Sequence, residues 1–189
     1  MPLSAGRALG AIGHALVSPT LRGRGAGQQI MDAADAALER YAALRGWRVE
    51  AHILESEAGA ARFWSRQGYR WPEGMRFWQP PLAYTPDGEP ALPHIPLFLM
   101  IRHPQHPQQI PAALVEEYTR ALLAQWYRDE LPKQVPGAAA CERARRWFDH
   151  TILTPTIASI AHDPVAMKDL SGWRLAEAEA CLRGLADPR

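Results

Sequence analysis

From Leu21 to Gln28 the chain reads Leu-Arg-Gly-Arg-Gly-Ala-Gly-Gln, with three glycines and two arginines. Glycine leaves the main chain uncovered and free to take positive φ, so several N–H groups can converge on one point. If such a turn opens a helix, the helix adds unsatisfied N–H groups and its positive end. The chemistry this favours is binding of an anion such as a pyrophosphate. Arg22 and Arg24 bring positive charge to the same place. The spacing excludes two common phosphate loops. A P-loop needs Gly-Lys-Ser/Thr, but Gly27 is followed by Gln28-Gln29, and a dinucleotide fingerprint counted from Gly23 needs glycine where Gln28 stands.

The other chemistry-bearing side chains give weaker patterns. His94, His103 and His106 lie among prolines with Gln105, Gln108 and Gln109. No nearby carboxylate has ligand spacing, so no metal site is expected. Trp71, Phe77 and Trp78, near Pro80-Pro81, read as hairpin packing and not as a base-stacking platform. Arg143, Arg145, Arg146 and His150 give a short helix a basic face, by default a solvated one. Cys141 and Cys181 are the two cysteines. They exclude a disulfide scaffold or a Cys-rich zinc site and read as small buried hydrophobes.

Several elements must position the loop. Ala11 to Val17 reads as a short buried strand ended by Ser18-Pro19. Behind the loop, Ile30, Met31, Ala34, Ala37, Leu38, Tyr41 and Leu44 recur at helical spacing, and Gly46 sits as a C-terminal cap. Trp47 to Leu54 alternates Val49/Ala51/Ile53 against Arg48/Glu50/His52, a second strand. Another helix follows from about Glu57 to Gln67, stopped by Gly68. Strand, loop, helix, strand, helix is a βαβα unit with parallel strands. Residues 71–111 hold ten of the 17 prolines and two short strand candidates, Met75–Gln79 and Pro96–Arg102, joined through Thr85-Pro86-Asp87-Gly88. Beyond them the pattern is helical. Pro111 opens a helix to about Leu131, and further helices are expected at 138–150 and at 172–186, the latter capped by Ser171. The fold class is α/β: a partial mixed sheet (the βαβα unit plus a C-terminal strand pair) over 1–102, then a helical extension over 103–189.

Arg22-Gly23-Arg24-Gly25-Ala26-Gly27 fits the pattern Arg-x-x-Gly-x-Gly and follows Val17-Ser18-Pro19. It resembles the acetyl-CoA pyrophosphate loop of the GNAT N-acetyltransferase superfamily. Ala60-Ala61-Arg62-Phe63-Trp64-Ser65-Arg66-Gln67-Gly68-Tyr69 is similar to the second signature of that family, on the helix after the next strand. The two signatures stand in the right order and spacing. The resemblance implies an N-acyltransferase that moves the acetyl group of acetyl-CoA to an amine by direct attack in a ternary complex. It implies that the strand before the loop splays from its neighbour and that Ala15, Leu16 and Val17 bond the pantetheine arm. Residues Gly23, Arg24, Gly25, Ala26, Gly27 and Gln28 would cradle the pyrophosphate beside Arg22, with Gln28 capping the helix. An N–H of the splayed strand would polarise the thioester carbonyl.

The chain departs from the family in two ways. Trp64 stands where a tyrosine acid is usual, and Glu57 where an asparagine often stands. An indole N–H cannot protonate a thiolate, so Trp64 would shape the pantetheine tunnel. Tyr69 occupies a packing position in the motif. The base is expected on the strands bordering the splay: His52 first, sharing a face with Glu50, then His14, then Glu50 itself. The second departure is that the elements preceding the loop strand in the family, which form much of its acceptor pocket, have no counterpart here. The expectation is an incomplete family domain whose exposed sheet edge is covered by a second copy, a partner or the extension. The competing reading is a non-catalytic module that binds CoA or a protein partner.

The 21 basic and 20 acidic side chains give a net charge of +1, which argues against nucleic-acid binding or a polybasic membrane patch. Hydrophobic residues at 47% exclude a disordered chain. No run is long enough to span a membrane. The apolar stretch behind Arg7 is broken by Gly10, Gly13 and His14 and lacks a cleavage site, so a cytoplasmic protein is expected.

Overall fold

The computed structural model describes residues 1–13, 15, 17–160 and 162–186. Strand β1 (Arg7–Ile12) runs parallel to β2 (Arg48–Ser56), and helix α1 (Ala26–Ala43) makes the crossover between them. The strand expected at Ala11 to Val17 therefore lies further towards the N-terminus, and only Ala11 and Ile12 belong to both. Its centre is Ala8-Leu9-Gly10, all buried. Gly10 is used for a close approach: a Cβ there would stand 2.5 Å from Leu38 Cδ2 and 2.9 Å from His52 Nδ1. The missing side chain lets α1 settle on the sheet.

Helix α2 (Ala58–Arg66) follows β2, and Gly68 turns the chain with φ 85°. Strands β3 (Trp71–Pro72), β4 (Phe77–Gln79) and β5 (Ile95–Arg102) come next. β5 pairs antiparallel with both β4 and β2, giving a mixed sheet in the order β1-β2-β5-β4. The hairpin between β4 and β5 contains the expected turn, in which the Gly88 N–H donates to the Thr85 carbonyl at 2.9 Å. β5 is apolar at almost every position because both faces are covered. Leu97, Leu99 and Ile101 pack on one side, Phe98 and Met100 on the other.

After β6 (Gln109–Ile110) come α3 (Ala112–Trp126), α4 (Leu131–Gln134) and α5 (Ala138–Phe148). α5 passes through a π-helical stretch, Asp149–Leu153, into α6 (Thr154–Ala158). Pro155, which has no N–H to continue the regular ladder, accounts for that wider turn. The segment after 102 is not purely helical. β7 (Val165–Lys168) lies between β3 and β6 in a second, three-stranded sheet. Its four residues are too few to announce themselves by alternation. The last helix, α7 (Leu175–Ala186), begins after the expected cap: Ser171 does not close it. Instead the Glu177 carboxylate accepts the Arg174 N–H at 2.7 Å, the return half of a capping box.

The sheet is thus sandwiched. α1, α2 and α7 cover one face around Leu54, Trp64, Phe98 and Met100, and α3 and α5 cover the other around Leu9, Ile53, Leu99, Tyr118 and Phe148. The edge of β1 is lined by the chain itself, since Pro2 bridges Ala8 and the Leu9 N–H donates to Met1 O at 2.7 Å. The opposite edge, β4, is short and followed by Pro80-Pro81. Among the described residues no helix is long and apolar enough to cross a membrane.

Candidate functional site

The backbone around the glycines takes the conformation their sequence anticipates. Gly23 and Gly25 have φ of 74° and 80°, where side chains are strained, and a Cβ on either would meet no atom within 4 Å. Gly25 is the N-cap of α1, with no side-chain cap and no acidic residue in the first turn. The first N–H groups of α1 and its positive end therefore face the loop without an internal anion. Gln28 does not cap the helix as expected; its amide donates to Asp32 at 2.8 Å, one turn on. Arg22 Nε donates to the Val17 carbonyl at 3.3 Å and ties the loop to the segment after β1.

These residues border a cavity of about 690 Å³. Ala15, Val17, Arg22, Gly23, Gly25, Ala26, Gly27 and Gln28 line it, and Arg24 stands exposed beside it. Leu16 lies outside the described residues. The far wall is the Gly59, Ala60, Phe63, Arg66 and Gln67 side of α2. A Cβ on Gly27 would stand 3.0 Å from the Phe63 ring, so this glycine keeps the cavity open and the two helices close. Trp64 does not line the cavity. It is buried and packs edge-to-face on Tyr69 at 5.6 Å, because Ala61, Trp64 and Ser65 form the inward stripe of α2 while Phe63 faces the loop. Tyr69 is fully buried, and burial raises its phenol. Glu57 is the exposed N-cap of α2, outside the cavity lining.

Neither His52 nor Glu50 lines this cavity. His52 is buried between the sheet and α1, with Nδ1 3.4 Å from Asp35 Oδ1, and Arg102 holds the same carboxylate at 2.6 Å. Burial first, then the Arg102 charge, pushes His52 down to about 4, against the opposing pull of Asp35. Glu50 does not share its face. The ladder steps from Ala8↔Val49 to Leu9↔Ala51, so Glu50 is the extra residue of a β-bulge. Its carboxylate pairs with Arg7 at 2.6 Å, and Arg7 in turn reaches Glu117 on α3. His14 lies outside the described residues.

A residue that the sequence reading passed over stands at the end of β2. Glu55 accepts hydrogen bonds from the Tyr127 hydroxyl at 2.7 Å and from Gln79 Nε2 at 2.9 Å. Burial, then the Glu55 charge, keeps the Tyr127 phenol protonated by raising it far above its ordinary value. The signal was present: Glu55 continues the Val49, Ala51, Ile53 alternation, a carboxylate on a stripe otherwise apolar. The His103 and His106 rings stand 4.7 Å apart, with His103 stacked on Tyr118, while His94 neighbours Trp147. Among the described residues no three His, Cys, Asp or Glu side chains converge as a metal site. No protein-family model matches the chain, and comparison with curated proteins and with solved structures gave no significant match.

Proposed function

We propose that this chain is an acetyl-CoA-dependent N-acyltransferase built on a partial GNAT-like core, 1–102, with the remainder as an extension. The observation that carries the reading is the cavity of about 690 Å³ between the uncapped N-terminus of α1 and the Phe63 face of α2. A pyrophosphate fits it. The main chain of Gly23 and Gly25 is bare on the cavity side, and Arg22 and Arg24 supply counter-charge. The strand geometry supports the same reading: β1 leaves β2 after Ile12/Leu54, while β2 runs on to Ser56 against β5. That opening leaves room for the pantetheine arm along Ala15 and Val17. The chain's residues then bind and orient the thioester, and an amine nitrogen attacks its carbonyl carbon as the carbon–sulfur bond breaks. The proton released from nitrogen passes to the departing sulfur or to water. Positioning of this kind supplies much of the rate in such a transfer.

The burial of His52 away from the cavity favours a second reading, a CoA-binding module without turnover. Release of free CoA thiol in an amine screen separates the two. The first reading predicts thiol release that requires an amine, and loss of acetyl-CoA binding in Gly25→Glu. Unchanged affinity in Gly25→Glu would sink both readings at once.

A further inference from the structure

The α2 wall of the cavity of about 690 Å³ carries a cation of its own. Arg66 lines it there, with Gln67 beside it, while Arg22 lines it from the glycine loop. These two arginines are the charged side chains among the described lining residues, and no carboxylate joins them. The acidic groups closest in the chain are engaged or stand elsewhere. Asp32 accepts the Gln28 amide at 2.8 Å, Asp35 holds Arg102 at 2.6 Å, and Glu57 is exposed outside the lining.

Arg66 has no hydrogen-bond or ion-pair partner among the described residues. Arg70, four residues on, is tied into the fold: it donates to the Ser65 and Tyr69 carbonyls at 2.7 and 2.9 Å and pairs with Asp169 at 3.3 Å. Arg62, four residues before, is exposed and equally unpaired, but it lines a second, smaller cavity beside Trp173 and Leu175. Phe63 marks where α2 meets the loop, since its ring lies 3.0 Å from where a Cβ on Gly27 would stand. Residues three apart on a helix have Cβ atoms about 5–6 Å from one another, so Arg66 is rooted one turn from that meeting point.

We propose that Arg66 is a specificity-determining residue that pairs with a phosphate of the ligand from the α2 wall, so that the cavity selects phosphorylated acyl carriers. The assignment rests on the CoA-binding part of the proposed function and names the chemical class of its ligand. A guanidinium presents a fork of N–H donors that matches two phosphate oxygens. Two cations in a cavity without a carboxylate favour an anion between them. An acetyl thioester on phosphate-free pantetheine brings no such anion. CoA brings two, the pyrophosphate and the ribose 3′-phosphate, and dephospho-CoA only the first.

The test titrates acetyl-CoA, acetyl-dephospho-CoA and acetylpantetheine into the full chain by calorimetry, for wild type, Arg66→Gln, Arg66→Lys and Arg62→Gln. Both arginines are exposed, so neither substitution touches the core. The wild type should bind acetyl-CoA and show no saturable binding of acetylpantetheine. Arg66→Gln should weaken acetyl-CoA by about tenfold or more, and Arg66→Lys should recover part of that loss. Arg62→Gln makes the same change of charge on the same helix and should keep the wild-type affinity. A loss in Arg66→Gln for both phosphorylated ligands places Arg66 on the pyrophosphate, and a loss for acetyl-CoA alone places it on the 3′-phosphate. Either supports the assignment. Unchanged acetyl-CoA affinity in Arg66→Gln, an equal loss in Arg62→Gln, or wild-type binding of acetylpantetheine as tight as that of acetyl-CoA overturns it and leaves the proposed function standing. A folded wild type that binds no acetyl-CoA overturns the proposed function, and the assignment with it, before any variant is compared.

Discussion

His52 illustrates how environment decides a residue's role. An imidazole poised for base catalysis needs access to its substrate and a pKa near the working pH. Here burial and the Arg102 guanidinium push it to about 4. In the unfolded chain it titrates near the ordinary 6.5. Between those values the unfolded state binds a proton that the folded state refuses, so stability falls as the pH drops from about 6.5 to about 4. The full loss attributable to this group is about 3 kcal/mol. Urea unfolding of wild type and His52→Gln at stepped pH measures it. The wild-type curve should fall more steeply across that window, and coincident slopes would show that His52 is not held neutral by the fold.

At the level of elements, the hairpin turn carries a sharp packing constraint. Gly88 has φ 86°, is buried, and its missing Cβ would overlap the Ala140 carbonyl of α5. Arg143 reinforces the contact by donating to the Asp87 carbonyl at 3.0 Å. Gly88→Ala combines left-handed strain with overpacking and should cost about 2–4 kcal/mol, read from the denaturant midpoint. A loss below about 0.5 kcal/mol would mean that the hairpin does not bear on α5. The sequence revealed such elements unevenly. α1, β2, α2 and β5 were legible because apolar periodicity, stop glycines and a long apolar run point the same way. β1 was misplaced because Ala15 to Val17 is as apolar as Ala8 to Leu9, and no alternation separates strand from cavity lining. The shared face of Glu50 and His52 failed for a different reason: a bulge adds one residue and inverts the parity of the strand, which no pattern of residue types records. β6 and β7 are set by tertiary pairing, β7 with β3 on one side and with β6 on the other, and are too short to show a period.

For the molecule as a whole, the two-faced sheet explains why the segment after 102 packs into the same core as the strands. α3 covers the side of the sheet that α1 and α2 do not, and its last turn delivers Trp126 and Tyr127 to the end of β2. The glycine loop was legible because its chemistry is local to a few consecutive residues. The Glu55, Gln79 and Tyr127 cluster was not, because it joins three elements distant in the chain. The proposed function stands on the first cavity, where the loop from Arg22 to Gln28 and the Phe63 face of α2 would hold acetyl-CoA. The most direct measurement is calorimetric titration of the purified chain with acetyl-CoA, with dephospho-CoA for comparison. The expected result is micromolar binding, on the order of −8 kcal/mol, for acetyl-CoA, and binding of dephospho-CoA that keeps the pyrophosphate contribution. No heat from either ligand in a folded protein would contradict it.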